Sequence, residues 1–334
     1  MASATETIQV RTRGLFSGST VIGPLAVLIA VFILLSAFVP HFFSMRSITG
    51  IINATSLTAT IAIGVSLLMI CGEFDLSVGS VMAVGGYLFG SLSMAGHPFI
   101  GLILAIAVPA VLGAINGLIL VWTGIPSFII TLGTKWFYRG MLWVISSGQM
   151  LQTIDRPTIY AVFNGRLDAL NNLFSNANFR STLLWQLLLV IVFEFILTRT
   201  TFGNHVFAVG GNAGAAKGQG VNINRVRILS FVLTSCLAGF AGVILFSQYL
   251  TVRVASGDGL ELSAIAAAVV GGVLITGGAG SIWAAIIGAM TISMLRTGVV
   301  LMNIPFIPAD NFEAIVGVTI ILAVILNNYL RRRT

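Results

Sequence analysis

Long apolar runs alternate with short polar gaps along the whole chain. The runs fall at roughly 21–40, 48–71, 77–95, 99–122, 126–146, 181–199, 226–249, 261–277, 281–302 and 312–330. Each is close to the ~20 residues a helix needs to cross a bilayer. The pattern predicts an all-α polytopic membrane protein of about ten transmembrane helices. The third and eighth runs are short and glycine-rich, which predicts bent or partly re-entrant segments. Residues 1–20 read as a polar tail, 21–330 as the membrane domain and 331–334 as a basic tail. The first apolar run has no small-residue cleavage site and reads as a retained helix.

Two polar gaps stand out. The segment 146–180 holds Asp155, Arg156, Arg166 and Asp168 with Tyr160 and Phe163, and predicts a loop with a surface helix. The segment 200–227 carries Lys217, Arg225 and Arg227, and no Asp or Glu occurs between Glu194 and Asp258. Basic loops stay in the cytoplasm. This places 200–227 inside, 146–180 on the periplasmic side, and both termini in the cytoplasm. Within 200–227, Asn212 is placed to cap a short helix over Ala213–Lys217, Gly218 and Gly220 to stop it, and Asn222 or Asn224 to cap the next span. A short ordered basic element suits docking of a cytoplasmic partner; equally, it is what a plain positive-inside loop looks like.

Composition agrees with a membrane protein: 57% of the 334 residues are hydrophobic, 8% are charged, and mean hydropathy is +1.02. Soluble domains carry nearer ~25% charge. The net charge of +7 reflects Lys and Arg in loops and tails, where they set topology and face lipid headgroups, not nucleic acid. Nine basic residues fall on the expected cytoplasmic side (Arg11, Arg13, Arg199, Lys217, Arg225, Arg227 and Arg331 to Arg333). Five fall on the other: Arg46, Arg156, Arg166, Arg180 and Arg253. Cys71 and Cys236 lie in apolar surroundings and read as buried thiols.

The chain repeats itself. Asp75–Gly86 (DLSVGSVMAVGG) aligns without a gap on Glu261–Gly272 (ELSAIAAAVVGG), and GLILVWTGIP from Gly117 is echoed by GVVLMNIP from Gly298. The copies lie five spans apart, so the halves are inverted, giving two five-helix repeats with the path between them. Both copies place an acid and a serine ahead of a helix. Asp75 or Ser77, and Glu261 or Ser263, read either as N-caps or as solute contacts. Glu73, near membrane depth, needs solvent, a partner or a function.

Known catalytic patterns are missing. His41, His97 and His205 are far apart, no G-x-S-x-G occurs, and neither lysine follows a glycine, so there is no phosphate-binding loop. ATP and magnesium, if used, belong to another polypeptide. Lys135 and Arg139 share a helical face, and Arg139 and Arg296 call for a wet cavity or an acidic partner. Asn53, Ser56, Asn116, Ser127 and Thr131 are polar groups within spans, able to bond a solute hydroxyl or a neighbouring helix. Gly86 with Gly90, Gly113 with Gly117, and Gly280–Ala284–Gly288 have helix-packing spacing.

These stretches together resemble the permeases of ribose-type, monosaccharide ABC importers. GEFDLSVGS (72–80) is similar to their GGIDLSVGS, PSFIITLGT with YRG (126–140) to their PAFIVTLGT…RG, 203–226 to their coupling loop, and ELSAIAAAVVGG…GGAGSI to ELDAIAAVVIGG…GGRGSI. The resemblance covers nearly the whole chain. It implies a permease of the bacterial inner membrane, working as a pair with a second copy or a homologous permease. Its other partners are cytoplasmic ATPase subunits and a periplasmic solute-binding protein. The implied coupling residues are Gly210, Gly211, Asn212, Ala215, Ala216, Lys217 and Gly220. The pathway candidates are Asn53, Ser56, Glu73, Asp75, Ser77, Asn116, Thr131, Arg139, Glu261 and Ser263. Glu73, Phe74, Ser263 and Ala279 depart from the family pattern, so a typical pentose or hexose does not follow. The rival reading is a proton-coupled secondary transporter using Glu73 and Asp75.

Overall fold

The computed structural model describes residues 18–302 and the pair 317–318. Most of the tenth expected span (312–330), most of the N-terminal tail and the 331–334 tail lie outside these residues. In chain order the helices are α1 (Gly18–Phe38), α2 (Met45–Ile70), α3 (Val78–Met94), α4 (Pro98–Thr123), α5 (Ser127–Ser146), α6 (Thr158–Asn164), α7 (Asp168–Asn171), α8 (Thr182–Arg199), α9 (Thr201–Gly211), α10 (Ala213–Gly218), α11 (Ile223–Tyr249), α12 (Leu260–Val270) and α13 (Ile282–Met302). One two-residue pair, β1 (Leu151–Gln152) with β2 (Thr251–Val252), is the sheet among the described residues. The protein is all-α, as the apolar pattern predicts. Six helices (α1, α2, α4, α8, α11 and α13) are long and apolar enough to span a membrane. Helix α5 has 20 residues but carries Lys135 and Arg139.

The centre is the antiparallel pair α2 and α11. Gly64 lets them touch: a Cβ there would come within 2.8 Å of the Thr234 Cα, and Thr234 Oγ1 donates to the Gly64 carbonyl at 2.9 Å. Helix α3 runs parallel to α11, with Gly85 against Gly239, Gly86 against Gly242 and Gly90 against the Phe246 ring. Helix α4 runs antiparallel to α11, with Gly113 on Phe231 and Ser235 and Gly117 on Ile228. The small-residue spacings thus serve close backbone approach.

The repeat is visible in the packing. Helix α11 packs on α3 and α4, which pack on each other; α2 packs on α12 and α13, which pack on each other. A shift of five spans maps one set onto the other, with the α2–α11 pair on the axis. The outer helices break the symmetry: α1 packs on α13, whereas its counterpart α8 packs on α2 and α9.

The structure adds detail to three expectations. The run 261–277 is broken, as its glycines predict: α12 stops at Val270, and Gly271 and Gly272 (φ 83°) turn the chain, whereas the third run is one helix, α3. The gap 200–227 contains an additional helix, α9, ahead of the expected short one. In the segment 146–180, α6 is the expected surface helix, with Thr158, Ala161 and Val162 exposed and its other face turned into the protein. Tyr160 and Phe163 are buried in edge-to-face contacts with Phe89, Phe246 and Phe240, because two aromatic rings on one short helix gain more from the core than from water.

Candidate functional site

Helix α3 starts inside the protein, not at its edge. Gly85 is level with Gly239, so Val78 sits roughly 14 Å along α11 from its first residue at 1.5 Å per residue. Residues 71–77 reach that depth without helical structure. Their backbone donors are met by α5: Phe74 N–H donates to Ser127 Oγ (3.0 Å) and Leu76 N–H to Thr131 Oγ1 (3.1 Å). Asp75 is fully buried and serves the start of α3, accepting from Ser77 N–H (2.7 Å) and the Ser77 hydroxyl (2.6 Å) through one oxygen. Asn116 Nδ2 donates to Ser77 Oγ, and the Tyr138 hydroxyl donates to Asn116 Oδ1. A hydrogen-bonded chain thus links the break to α4 and α5.

The inverted counterpart starts beside it. The loop before α12 brings Gly257 against Gly79, where a Cβ would come within 2.6 Å of the Gly79 carbonyl oxygen. Glu261, in the first turn of α12, is buried and ion-paired with Lys135 Nζ. Asp258 completes the junction: its carboxylate lies 2.8 Å from Arg139 Nη1 and 3.9 Å from Lys135 Nζ. Arg139 also donates to Ser80 Oγ and to the Val254 carbonyl. Two cations on one face of α5 therefore meet two acids from the other half, at the point where both broken helices begin. Asp258 is about half exposed (52%), whereas Glu261 is 3% exposed, so the junction is closed on one side and open on the other.

A second pair lies nearer the end of the bundle that holds α9 and α10. Glu73 pairs with Arg227 in the first turns of α11, at 2.8 Å. Asn212 caps α10 by accepting from Ala215 N–H, and Asn222 caps α11 by accepting from Arg225 N–H. Ala215, Lys217 and Gly220 are exposed, while Ala216 is buried. Gly210, at the end of α9, packs so tightly on the Ile70 carbonyl that no Cβ fits, and Gly278 (φ 77°) donates its N–H to that same carbonyl at 2.9 Å. The basic element is thus braced on the end of α2 and on the turn ahead of α13, with Gly211 packed against Gly278.

Asp75, Ser77, Asn116, Thr131, Arg139 and Glu261 therefore come together. Asn53 and Ser56 do not join them: Asn53 Nδ2 donates to the Asn178 carbonyl and Ser56 to the Asn53 carbonyl, within or beside α2. Ser263 donates to the Gly259 carbonyl inside α12, and neither it nor Glu261 caps that helix; Gly259 occupies the cap position. The physical reason is φ: Gly259 holds 78°, which an acid or serine avoids. Lys135, Tyr138 and Asp258 belong to the cluster although none was a pathway candidate. The available signal was two cations four apart in one span and two acids three apart in another. Arg296 is exposed on α13. Among the described residues, no group of three or more His, Cys, Asp or Glu could hold a metal.

Residues 47–324 match the family described as branched-chain amino acid transport system / permease component. The chain belongs to this family. It is also similar to proteins named autoinducer 2 import system permease protein LsrC. That of Klebsiella pneumoniae subsp. pneumoniae is 32% identical over 91% of this chain and 85% of its own length. That of Photorhabdus luminescens is 31% identical over 84% and 82%. No solved structure matches. The chain is a multi-pass inner-membrane permease subunit of a sugar-type ABC importer, a transport component and not a proton-coupled carrier. Glu73 is paired with Arg227, and one oxygen of Asp75 serves the start of α3.

Proposed function

We propose that this permease moves a sugar-like solute of the autoinducer-2 type into the cell by alternating access, as one of two permease chains. ATP and magnesium are bound by separate cytoplasmic ATPase subunits, and a periplasmic binding protein delivers the solute. Helices α9 and α10 face the cytoplasm, as do both termini, and receive the ATPase through Asn212, Ala215, Lys217 and Gly220. The observation that carries this reading is the bracing of Gly210 on the Ile70 carbonyl together with the Glu73–Arg227 pair. Any displacement of α9 and α10 loads the end of α2 and the start of α11, and through residues 71–77 it reaches the Lys135–Asp258–Arg139–Glu261 junction. An ATP-bound partner drives the switch only if it binds one arrangement of this path more tightly than the other. Junction groups left half open at Asp258 suit a solute rich in hydroxyls.

The test is deletion of residues 211–220 in the assembled importer. Membrane insertion stays normal and solute-stimulated ATPase activity is lost. Retained stimulation after the deletion rejects the coupling assignment.

A further inference from the structure

The end of the bundle remote from α9 and α10 gathers cations: among the described residues Arg46, Arg166 and Arg180 stand together there with one ion-pair partner, Asp168. A cavity of about 810 Å³ opens between the first turns of α2 and the segment 165–180, and Arg46, Arg166 and Arg180 line it. Two of these arginines are held opposite each other: Arg166 and Arg180 form an isolated antiparallel bridge, flanked by Leu167 N–H to Phe179 O and Ser181 N–H to Gly165 O. Like charges directly opposite are destabilising in such a pair. Arg46 sits in the first turn of the 26-residue α2, and Arg180 lies just ahead of α8. Both are helix N-termini, whose positive dipole ends disfavour a cation. Arg180 is pushed down from the ordinary guanidinium range by burial, and further by Arg156 and Arg166. Against all this, the ion pair recorded for the three among the described residues is Arg166 with Asp168, exposed and 3.6 Å apart.

The cleft is built, not incidental. Asn53 Nδ2 donates to the Asn178 carbonyl, and Asn178 N–H donates to Thr49 Oγ1, which ties the segment to α2. Asn171 accepts from Phe179 N–H and donates to the Phe179 carbonyl, holding the turn. Asn172 and Asn178 also line the cavity, and Phe174 gives it an apolar side.

We propose that this cleft binds a phosphate-type oxyanion, and that the phosphate comes from the headgroup of an anionic phospholipid. Arg46 and Arg166 supply forked donors that match phosphate oxygens, and Arg180, whose Nη1 donates to the Asn164 carbonyl at 3.2 Å, adds its charge and remaining N–H groups. The level selects the lipid: Arg46 is in the first turn of a membrane-crossing helix, where headgroups lie. Exposed Phe38 and Phe43 precede it, and Leu173 stands exposed beside Phe174, giving acyl chains an apolar surface. The volume exceeds what one phosphate needs, and the asparagines offer partners for glycerol hydroxyls.

The test is thermal unfolding of the full chain in neutral detergent, titrated with phosphatidylglycerol, phosphatidylcholine or inorganic phosphate. Phosphatidylglycerol raises the melting temperature and phosphatidylcholine does not. In R46Q/R166Q, two exposed positions, the apparent affinity for phosphatidylglycerol falls at least about tenfold. R253Q, an arginine outside the cleft, keeps the response, and R46K/R166K, which keeps the charges but loses the forks, falls between wild type and R46Q/R166Q. If inorganic phosphate gives the shift and competes with the lipid, the oxyanion chemistry stands and the lipid source is overturned. An unshifted wild-type protein overturns the whole proposal, as does a wild-type-like response in R46Q/R166Q. So does a stabilisation through these arginines by the solute-binding protein alone, which would make the cleft a protein-docking surface.

Discussion

The starts of α3 and α12 are related by the repeat, yet they hold their acids differently. Asp75 is fully buried, and its hydrogen-bonded oxygen is spent within its own turn, on Ser77. Glu261 leaves the start of α12 to Gly259 and reaches across to Lys135 on α5, beside the half-exposed Asp258. One copy of the motif is a local brace; the other is a fastening between separate segments. Duplication supplied the same residue types at both places, and the surroundings divided the work. The brace fixes where α3 begins. The fastening joins α5 to the start of α12, two parts of the chain far apart in sequence.

Substitutions can separate the two roles. The largest effect is expected at the fastening. E261Q leaves Lys135 only the longer contact to Asp258 (3.9 Å) and costs about 3 kcal/mol, seen as a large drop in melting temperature. Replacing the pair together, K135M/E261L, recovers most of that stability but leaves ATPase activity unresponsive to solute. A double variant with normal stimulation breaks the comparison. At the brace, D75A leaves Ser77 N–H without its acceptor and costs about 1–3 kcal/mol. Its loss is not recovered by K135M, the α5 change that offsets the loss of Glu261, and recovery there would erase the distinction. The Glu73–Arg227 pair is more exposed on its arginine, so E73Q costs only about 1 kcal/mol or less. Its expected signature is weaker coupling between solute and ATP hydrolysis at near-wild-type melting temperature. The smallest effect belongs to S263A, within about 0.5 kcal/mol of wild type and with unchanged transport. Its hydroxyl bonds only a carbonyl of its own helix.

Much of this protein is legible along the chain. Hydrophobic run length predicts the spans because a bilayer leaves the backbone no other way to meet its own hydrogen bonds. The helix 213–218 was readable from Asn212 and the two glycines, because capping is local chemistry within four residues. The repeat was readable because inversion preserves sequence order. The helix α9 was not, since a short amphipathic segment earns its structure from packing on α8 and α11.

The sequence by itself determined the class, the spans, the repeat and the capped element, all properties carried by neighbouring residues. The tertiary structure alone decided which acid meets which base. Lys135 and Glu261 are 126 residues apart, Arg139 and Asp258 come from the same two regions, and Glu73 finds Arg227 only because α2 and α11 run antiparallel at the centre. It also decided that three arginines scattered over residues 46–180 share one cleft. Charge pairing depends on distance in space, and that distance is set by how the helices pack, which no local pattern encodes.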